Sequence, residues 1–408
     1  MTTPPDPAPA RTPAPAGLAS RAGEVPQPVG SRLRPLVAII VGQICLHACM
    51  AGVRVAAPLQ ALGRGHSAWA VGVLLALFAA APVVFAMKAG RLSDRHGYHV
   101  PLRIAVALCV TGGLLAFVSQ EYLVLCLAAV LCGTGANTGM IAIQRSAGRL
   151  AASATDRIRV FSWLGLAPAL ANMVGSLLAG VLIDLVGFRG AFGVLALLPL
   201  AALEIARQVP KEVPHAATGA PRPRHAAWDL LRSAPLRRLM LVNWLLSASW
   251  DVHSFVLPVM GHARGMSASA IGLVLGLFAF AVAAVRLVLP LVAHRLRERD
   301  MLVAAMLFTA AVFAVYPLVH AVSLMALCAV LLGLSLGSVQ PMIMSTLHHI
   351  TPPERHGEAI ALRSMAINAS STVMPLAFGV VGAALGAGAL FWIMGLAVAA
   401  GTLQARRV

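Results

Sequence analysis

Charge is what this sequence has least of. Only 11% of its 408 residues are charged, against 59% hydrophobic, and a water-soluble protein of two or three domains would need far more polar surface. Acids are scarcer still: 14 Asp and Glu stand against 31 Lys and Arg, a net charge of +17. Cysteine is sparse and badly placed for cross-linking. Cys45, Cys49, Cys109, Cys126, Cys132 and Cys328 all lie inside apolar stretches, where buried small hydrophobes are expected rather than disulfides. Cys45, His47 and Cys49 do not make a metal site, because on a helix His47 points about 200° away from the two thiols. A cluster of catalytic groups is also missing, so no enzyme is expected and no metal or cofactor is implied. Gly133-Thr134-Gly135 fails as a dinucleotide fingerprint, because Thr138 replaces the third glycine and no strand precedes it; it reads as a close helix contact.

Long apolar runs are present instead. A bilayer span needs about 20 mainly apolar residues, and twelve such stretches are legible: 35–58, 68–90, 101–119, 122–145, 158–183, 189–208, 237–260, 268–293, 301–319, 322–347, 358–382 and 384–404. The shorter, Gly-rich ones leave eleven or thirteen open. Backbone in hydrocarbon must satisfy its own hydrogen bonds, which predicts helices throughout. On the twelve-helix map only Arg54, Arg64, Arg189 and Arg264 fall on one side, and every other Lys and Arg falls on the other. By the positive-inside rule the basic side is cytoplasmic and holds both termini. The charge is thus topological, and nucleic-acid binding is not expected. Residues 1–34, rich in Pro and Ala, read as a disordered cytoplasmic lead, neither signal peptide nor helix. Residues 209–236 read as a cytoplasmic linker between halves at 35–208 and 237–405.

Those halves repeat. A shift of 200 residues lays 58–81 on 258–281, with Pro58, Arg64, Gly65, Ser67, Ala68, Ala70, Gly72, Leu75, Leu77, Phe78, Ala79 and Ala81 recurring as Pro258, Arg264, Gly265, Ser267, Ala268, Ala270, Gly272, Leu275, Leu277, Phe278, Ala279 and Ala281. Many secondary transporters are built from such duplicated apolar halves, with the substrate site between them.

Between the second and third stretches runs Gly90-Arg91-Leu92-Ser93-Asp94-Arg95-His96-Gly97-Tyr98-His99. It closely resembles the loop signature of the major facilitator superfamily, Gly-x-Leu-x-Asp-Arg-x-Gly-Arg/Lys, and the resemblance extends over about residues 35–405. It implies an all-α integral membrane fold of 12 transmembrane helices in two pseudo-symmetric six-helix bundles, most similar to the drug and metabolite exporter branch. Gly90 and Gly97 are expected to turn the backbone between packed helices. Asp94 is expected to act with Arg95 and Arg145 as a conformational clamp against the eleventh helix. His294 stands where the second copy would repeat Asp94, making the clamp asymmetric.

Polar stripes run along several stretches at helical spacing: Gln43, His47, Met50 and Arg54 on the first; Thr134, Asn137 and Gln144 on the fourth; Asn172 and Ser176 on the fifth; Asn243, Ser247, Asp251 and Ser254 on the seventh; Asn368 and Ser371 on the eleventh. In the superfamily the first, fourth, seventh and tenth helices line the central cavity. Ionisable groups within spans are costly and usually mark function. Arg54 and Asp251 are therefore expected to attract across the cavity as an outer gate. His47 and His253 are candidates for proton transfer or packing. Asp184, Glu204, Arg286 and Arg363 read as interfacial anchors near helix ends.

The resemblance also bears on direction. The exporters' Gly-Pro-x-x-Gly-Gly appears here as Gly175-Ser176-Leu177-Leu178-Ala179-Gly180, and Ala129 stands where they place an arginine. The expectation is a monomeric inner-membrane transporter of a neutral or anionic small organic solute, exporting it against protons with the proton gradient as energy source. Proton-coupled uptake and a non-transporting sensor are the alternatives.

Overall fold

A computed structural model describes the backbone of residues 29–150, 154–210, 227–292, 297–352 and 356–407. Most of the expected lead, the core of the expected linker and His294 lie outside the described residues, as does the side chain of Asp94. Twelve long helices occur among the described residues. The first four are α1 (Val29–Gly63), α2 (Ala68–His96), α3 (His99–Val118) and α4 (Tyr122–Leu150). A helical run of 53 residues, Ala154–Ala206, is broken at Gly187, where φ is 72° and ψ 173°. Only glycine takes that conformation freely, and it divides the run into α5 (154–186) and α6 (188–206). The second half comprises α7 (Ala234–Ala263), α8 (Ala268–Val292), α9 (Glu298–Val315), α10 (Val322–Ile350), α11 (His356–Leu385) and α12 (Ala387–Ala405).

Ten helical stretches are long and apolar enough to cross a membrane, the undivided α5–α6 run counted as one. Helix α7, at 30 residues, has the length but not the apolarity, since it carries Arg237, Arg238, Asn243, Asp251 and His253. Three of those polar groups turn inward, with Asn243, Asp251 and His253 all buried. Large apolar side chains instead point outward, Leu123 at 80% exposure and Leu396 at 74%. That inversion suits a lipid surround: the chain is a multi-pass membrane protein.

The helices gather into two bundles, α1–α6 and α7–α12, each closed by its own helix contacts, and the bundles meet chiefly through α2 with α11 and α5 with α8. The 200-residue repeat is visible in the packing. A Cβ on Gly133 would lie 2.3 Å from the carbonyl oxygen of Phe78, and one on Gly333 would lie 2.4 Å from that of Phe278. Both halves thus bring α2 and α4, or α8 and α10, together at equivalent points.

We call the face bearing the ends of α6 and α12 proximal and the opposite face distal. At the proximal face His99 Nε2 lies 3.0 Å from the carbonyl oxygen of Val209, and Arg238 donates to that of Arg407 at 3.1 Å. At the distal face the repeated Arg-Gly-x-Ser builds the same turn twice. Gly65 and Gly265 hold φ of 83° and 69°. Ser67 Oγ then caps α2 by accepting from Ala70 N, and Ser267 Oγ caps α8 by accepting from Ala270 N. The arginines tie each turn to the neighbouring helix pair. Arg64 donates to Glu121 at 2.7 Å, while Arg264 donates to the carbonyls of Val319 and Pro317, each at 2.6 Å.

Part of the loop signature behaves otherwise than expected. Gly90 does not turn the chain, because α2 continues through it to His96. Gly97 alone makes the turn, with φ of 67° and its N–H donated to the carbonyl of Ser93. Arg95 is exposed, and Arg145 is half-buried near the end of α4.

Candidate functional site

Between the bundles lies a cavity of two adjoining lobes, of about 260 and 330 Å³. Arg54 from α1, Pro168 and Asn172 from α5, Trp250 from α7 and Ser371 from α11 border both lobes. These residues meet because α1 and α7 turn their polar stripes inward from equivalent positions in the two bundles.

The distal part of the cavity holds an ion pair. Arg54 Nη2 lies 4.0 Å from Asp251 Oδ1, and Ser371 Oγ donates toward both carboxylate oxygens at 3.3 Å. Asp251 is only 5% exposed and Arg54 27%. At this separation, with an effective dielectric near 20, the attraction is about 4 kcal/mol before the cost of removing both charges from water. Arg54 belongs to one bundle and Asp251 to the other, so the pair bridges parts that must separate if the distal side is to open.

The remaining expected cavity residues divide. His47, Asn137, Asn172 and Asn368 border the larger lobe, and His47 Nδ1 lies 3.3 Å from the carbonyl of Gln43. Asn243 borders the smaller lobe. Gln43 is buried at 1% exposure one turn away from the lobes, and Gln144 is exposed. His253 faces away from the cavity. Its ring packs 4.5 Å from that of Phe278, and its Nε2 lies 3.2 Å from the Tyr316 hydroxyl. It follows Asp251 by two residues, about 200° around the helix, so it packs within its own bundle.

Two residues read from sequence as anchors sit elsewhere. Arg363 is not at an interface: it is 8% exposed, and its Nε donates to Asn243 Oδ1 at 3.0 Å while Nη2 donates to Gln340. Arg286 borders the smaller lobe and donates to the carbonyl of Gly165 at 3.2 Å. Gln340 and Trp250 were not singled out in the sequence, although Trp250 adjoins Asp251.

The distal seal is close-packed. A Cβ on Gly72 of α2 would lie 2.4 Å from the carbonyl oxygen of Pro375 on α11, and one on Gly272 of α8 would lie 2.5 Å from that of Ser176 on α5. Asp184 on α5 reaches the start of α8, its carboxylate accepting from Ala268 N at 3.2 Å and Ser269 N at 2.8 Å. An acid at a helix amino terminus satisfies open donors and the dipole together. Here the capping acid and the capped helix belong to different bundles, so the contact is a latch. The first half has no counterpart, since the packing that pairs Ser176 with Pro375 and Gly180 with Gly379 puts Ala383 at the position of Asp184.

A family model described as Major Facilitator Superfamily matches residues 39–249 and again 239–406. The class B tetracycline resistance protein of Escherichia coli is 34% identical over 109 residues, 27% of this chain and 27% of that relative's length. Among solved structures, a POT family transporter in complex with 5-aminolevulinic acid superposes with a TM-score of 0.75 at 13% identity, over 91% of this chain and 95% of the other. A bacterial homolog of the human lysosomal transporter Spinster, inward-facing and unoccupied, gives 0.72 at 10% identity over 92% and 95%. The human organic anion transporter MFSD10 gives 0.65 at 17% identity over 93% and 100%. With twelve helices in two repeated bundles, a cavity between them and the family model matching each half, this chain belongs to the major facilitator superfamily of membrane transporters.

Proposed function

We propose that the chain exports a small neutral or anionic organic solute in exchange for protons, by alternating exposure of the cavity between the bundles. The proximal face is then cytoplasmic, as the distribution of Lys and Arg implies, and the membrane is the inner membrane of the cell. The Arg54–Asp251 pair carries the reading. A carboxylate inside a membrane cavity, paired with a cation on the other bundle, links protonation to closure. With Asp251 charged the pair favours the closed distal side. A solute entering from the cytoplasm competes for the groups that hold the pair, and the distal side opens. A proton taken up by Asp251 at the far side weakens the hydrogen bonds that its carboxylate accepts from the solute and so releases it, and the loss of that proton to the cytoplasm restores the pair. The similarity to a resistance protein favours export, since a transporter protects a cell by carrying a compound out.

The test uses purified protein in liposomes with an imposed pH gradient and a panel of labelled solutes. Solute movement against the proton flux is expected, and movement with it would mean uptake. Asp251→Asn is expected to keep solute exchange while abolishing the response to the gradient. An unchanged gradient response in that variant would remove Asp251 from coupling.

A further inference from the structure

At the floor of the smaller lobe, toward the proximal side, stand two arginines with no counter-ion among the described residues. Arg286 lines the lobe from α8, and Arg363 lies just behind it on α11, held by Asn243 and Gln340, which line the lobe themselves. Their contacts are all to neutral oxygens: the carbonyl of Gly165 for Arg286, and the side-chain amides of Asn243 and Gln340 for Arg363. Neither guanidinium has a carboxylate partner among the described residues. Both flank the same lobe, Arg286 directly and Arg363 through Asn243 and Gln340. Asp251 is engaged with Arg54 and Ser371 and stands eight residues farther along α7 than Asn243, about 12 Å at the helical rise.

Buried charge without a partner is expensive, and mutual repulsion adds to the cost. Such an arrangement persists where an anion is meant to complete it. The donors are in place. A guanidinium carries five N–H groups, of which Arg363 uses two and Arg286 one. Asn243, at 1% exposure, has a side-chain Nδ2 with no partner. Trp250 supplies an aromatic wall to the same lobe. A fork of N–H donors suits the two oxygens of a carboxylate, and about 260 Å³ leaves room for a modest apolar body.

We propose that Arg286 and Arg363, with Asn243, form the anion-binding subsite of the transport cavity, taking the carboxylate of a small organic anion that enters from the proximal side. This rests on the transport reading above and narrows its substrate class. Arg286 contacts the anion. Arg363 shares its charge and is held by the two amides.

The test is ligand-induced thermal stabilisation of the purified full-length protein by benzoate, hexanoate and succinate, with benzamide as an uncharged match for benzoate. At least one carboxylate is expected to stabilise the protein where benzamide does not. Arg286→Gln, a half-buried position, is expected to raise that Kd about tenfold or more, the loss of one charge-assisted contact. Arg286→Lys is expected to restore part of the affinity. Arg363→Lys supplies a second variant that keeps the charge while disturbing the fork, with a smaller loss. Benzamide binding as well as benzoate, no carboxylate stabilising the protein, or equal affinity in wild type and Arg286→Gln would each overturn the subsite. The transport reading is judged separately. Gradient-driven movement of an uncharged solute would sink the anion subsite and leave proton coupling standing, whereas carboxylate binding without any gradient-driven movement would do the reverse.

Discussion

Adding one methyl group to Gly272 tests whether the distal seal is a moving interface. The new Cβ would stand 2.5 Å from the carbonyl oxygen of Ser176, nearly 1 Å short of the 3.4 Å at which ordinary contact begins. The obstacle is backbone, so no side-chain rotation relieves it, and α5 and α8 must part. Overpacking of this kind costs about 1–3 kcal/mol. If the contact exists only while the distal side is closed, the whole cost falls on that state, and Gly272→Ala moves the equilibrium toward distal opening by about 5- to 150-fold. The reporter is Ser254→Cys, lining the larger lobe, in a background without native cysteines. Labelling by a membrane-impermeant maleimide from outside is expected to accelerate in Gly272→Ala. The control is Gly133→Ala, whose Cβ would meet the carbonyl of Phe78 at 2.3 Å inside one bundle. That strain is present in both states, so it is expected to lower the unfolding temperature without faster labelling. Unchanged labelling in a well-expressed Gly272→Ala, or equal acceleration by Gly133→Ala, would refute the reasoning.

Asp184→Ala removes the cap that α5 places on α8, a loss of about 1 kcal/mol from the closed state, and is expected to speed the same labelling; an unaltered rate would make the contact ornamental. Arg264→Gln gives up two 2.6 Å bonds to backbone carbonyls, whereas Arg64→Gln loses one exposed ion pair, worth at most about 1 kcal/mol. Arg264→Gln should therefore lower the unfolding temperature more, and the reverse order would contradict the turn geometry. His253→Phe is expected to fold and to keep the pH profile of transport, since the ring packs between Phe278 and Tyr316; a shifted profile would return His253 to the proton path.

The fold was legible because lipid imposes a simple code. Long apolar runs must be helices, and the repeated Arg-Gly-x-Ser marks equivalent turns even where the flanking residues differ. The stripe on α7 likewise pointed to Asp251, and that on α1 to Arg54, because an ionisable group in a span must face inward. What the sequence hid was the rotation and depth of individual side chains. His253 shares the helix of Asp251 but faces its own bundle. Arg363, seven residues beyond the start of α11, looked like an anchor because its partners Asn243 and Gln340 come from two other helices. Asp184 concealed its role for the same reason, as its acceptors answer donors on the opposite bundle. Gly90 misled because a glycine in a loop signature is also tolerated inside a helix, and α2 runs on past it.

The central claim is that two rigid bundles rock about the cavity. Its most direct test is pulsed electron-electron distance measurement in liposomes, with spin labels at Leu123 and Leu385 on the distal face and, separately, at Arg207 and Arg406 on the proximal face. The account predicts two distance populations for each pair, the longer distal distance growing in Gly272→Ala as the longer proximal distance shrinks. A single distance for each pair, unmoved by that substitution, would contradict it.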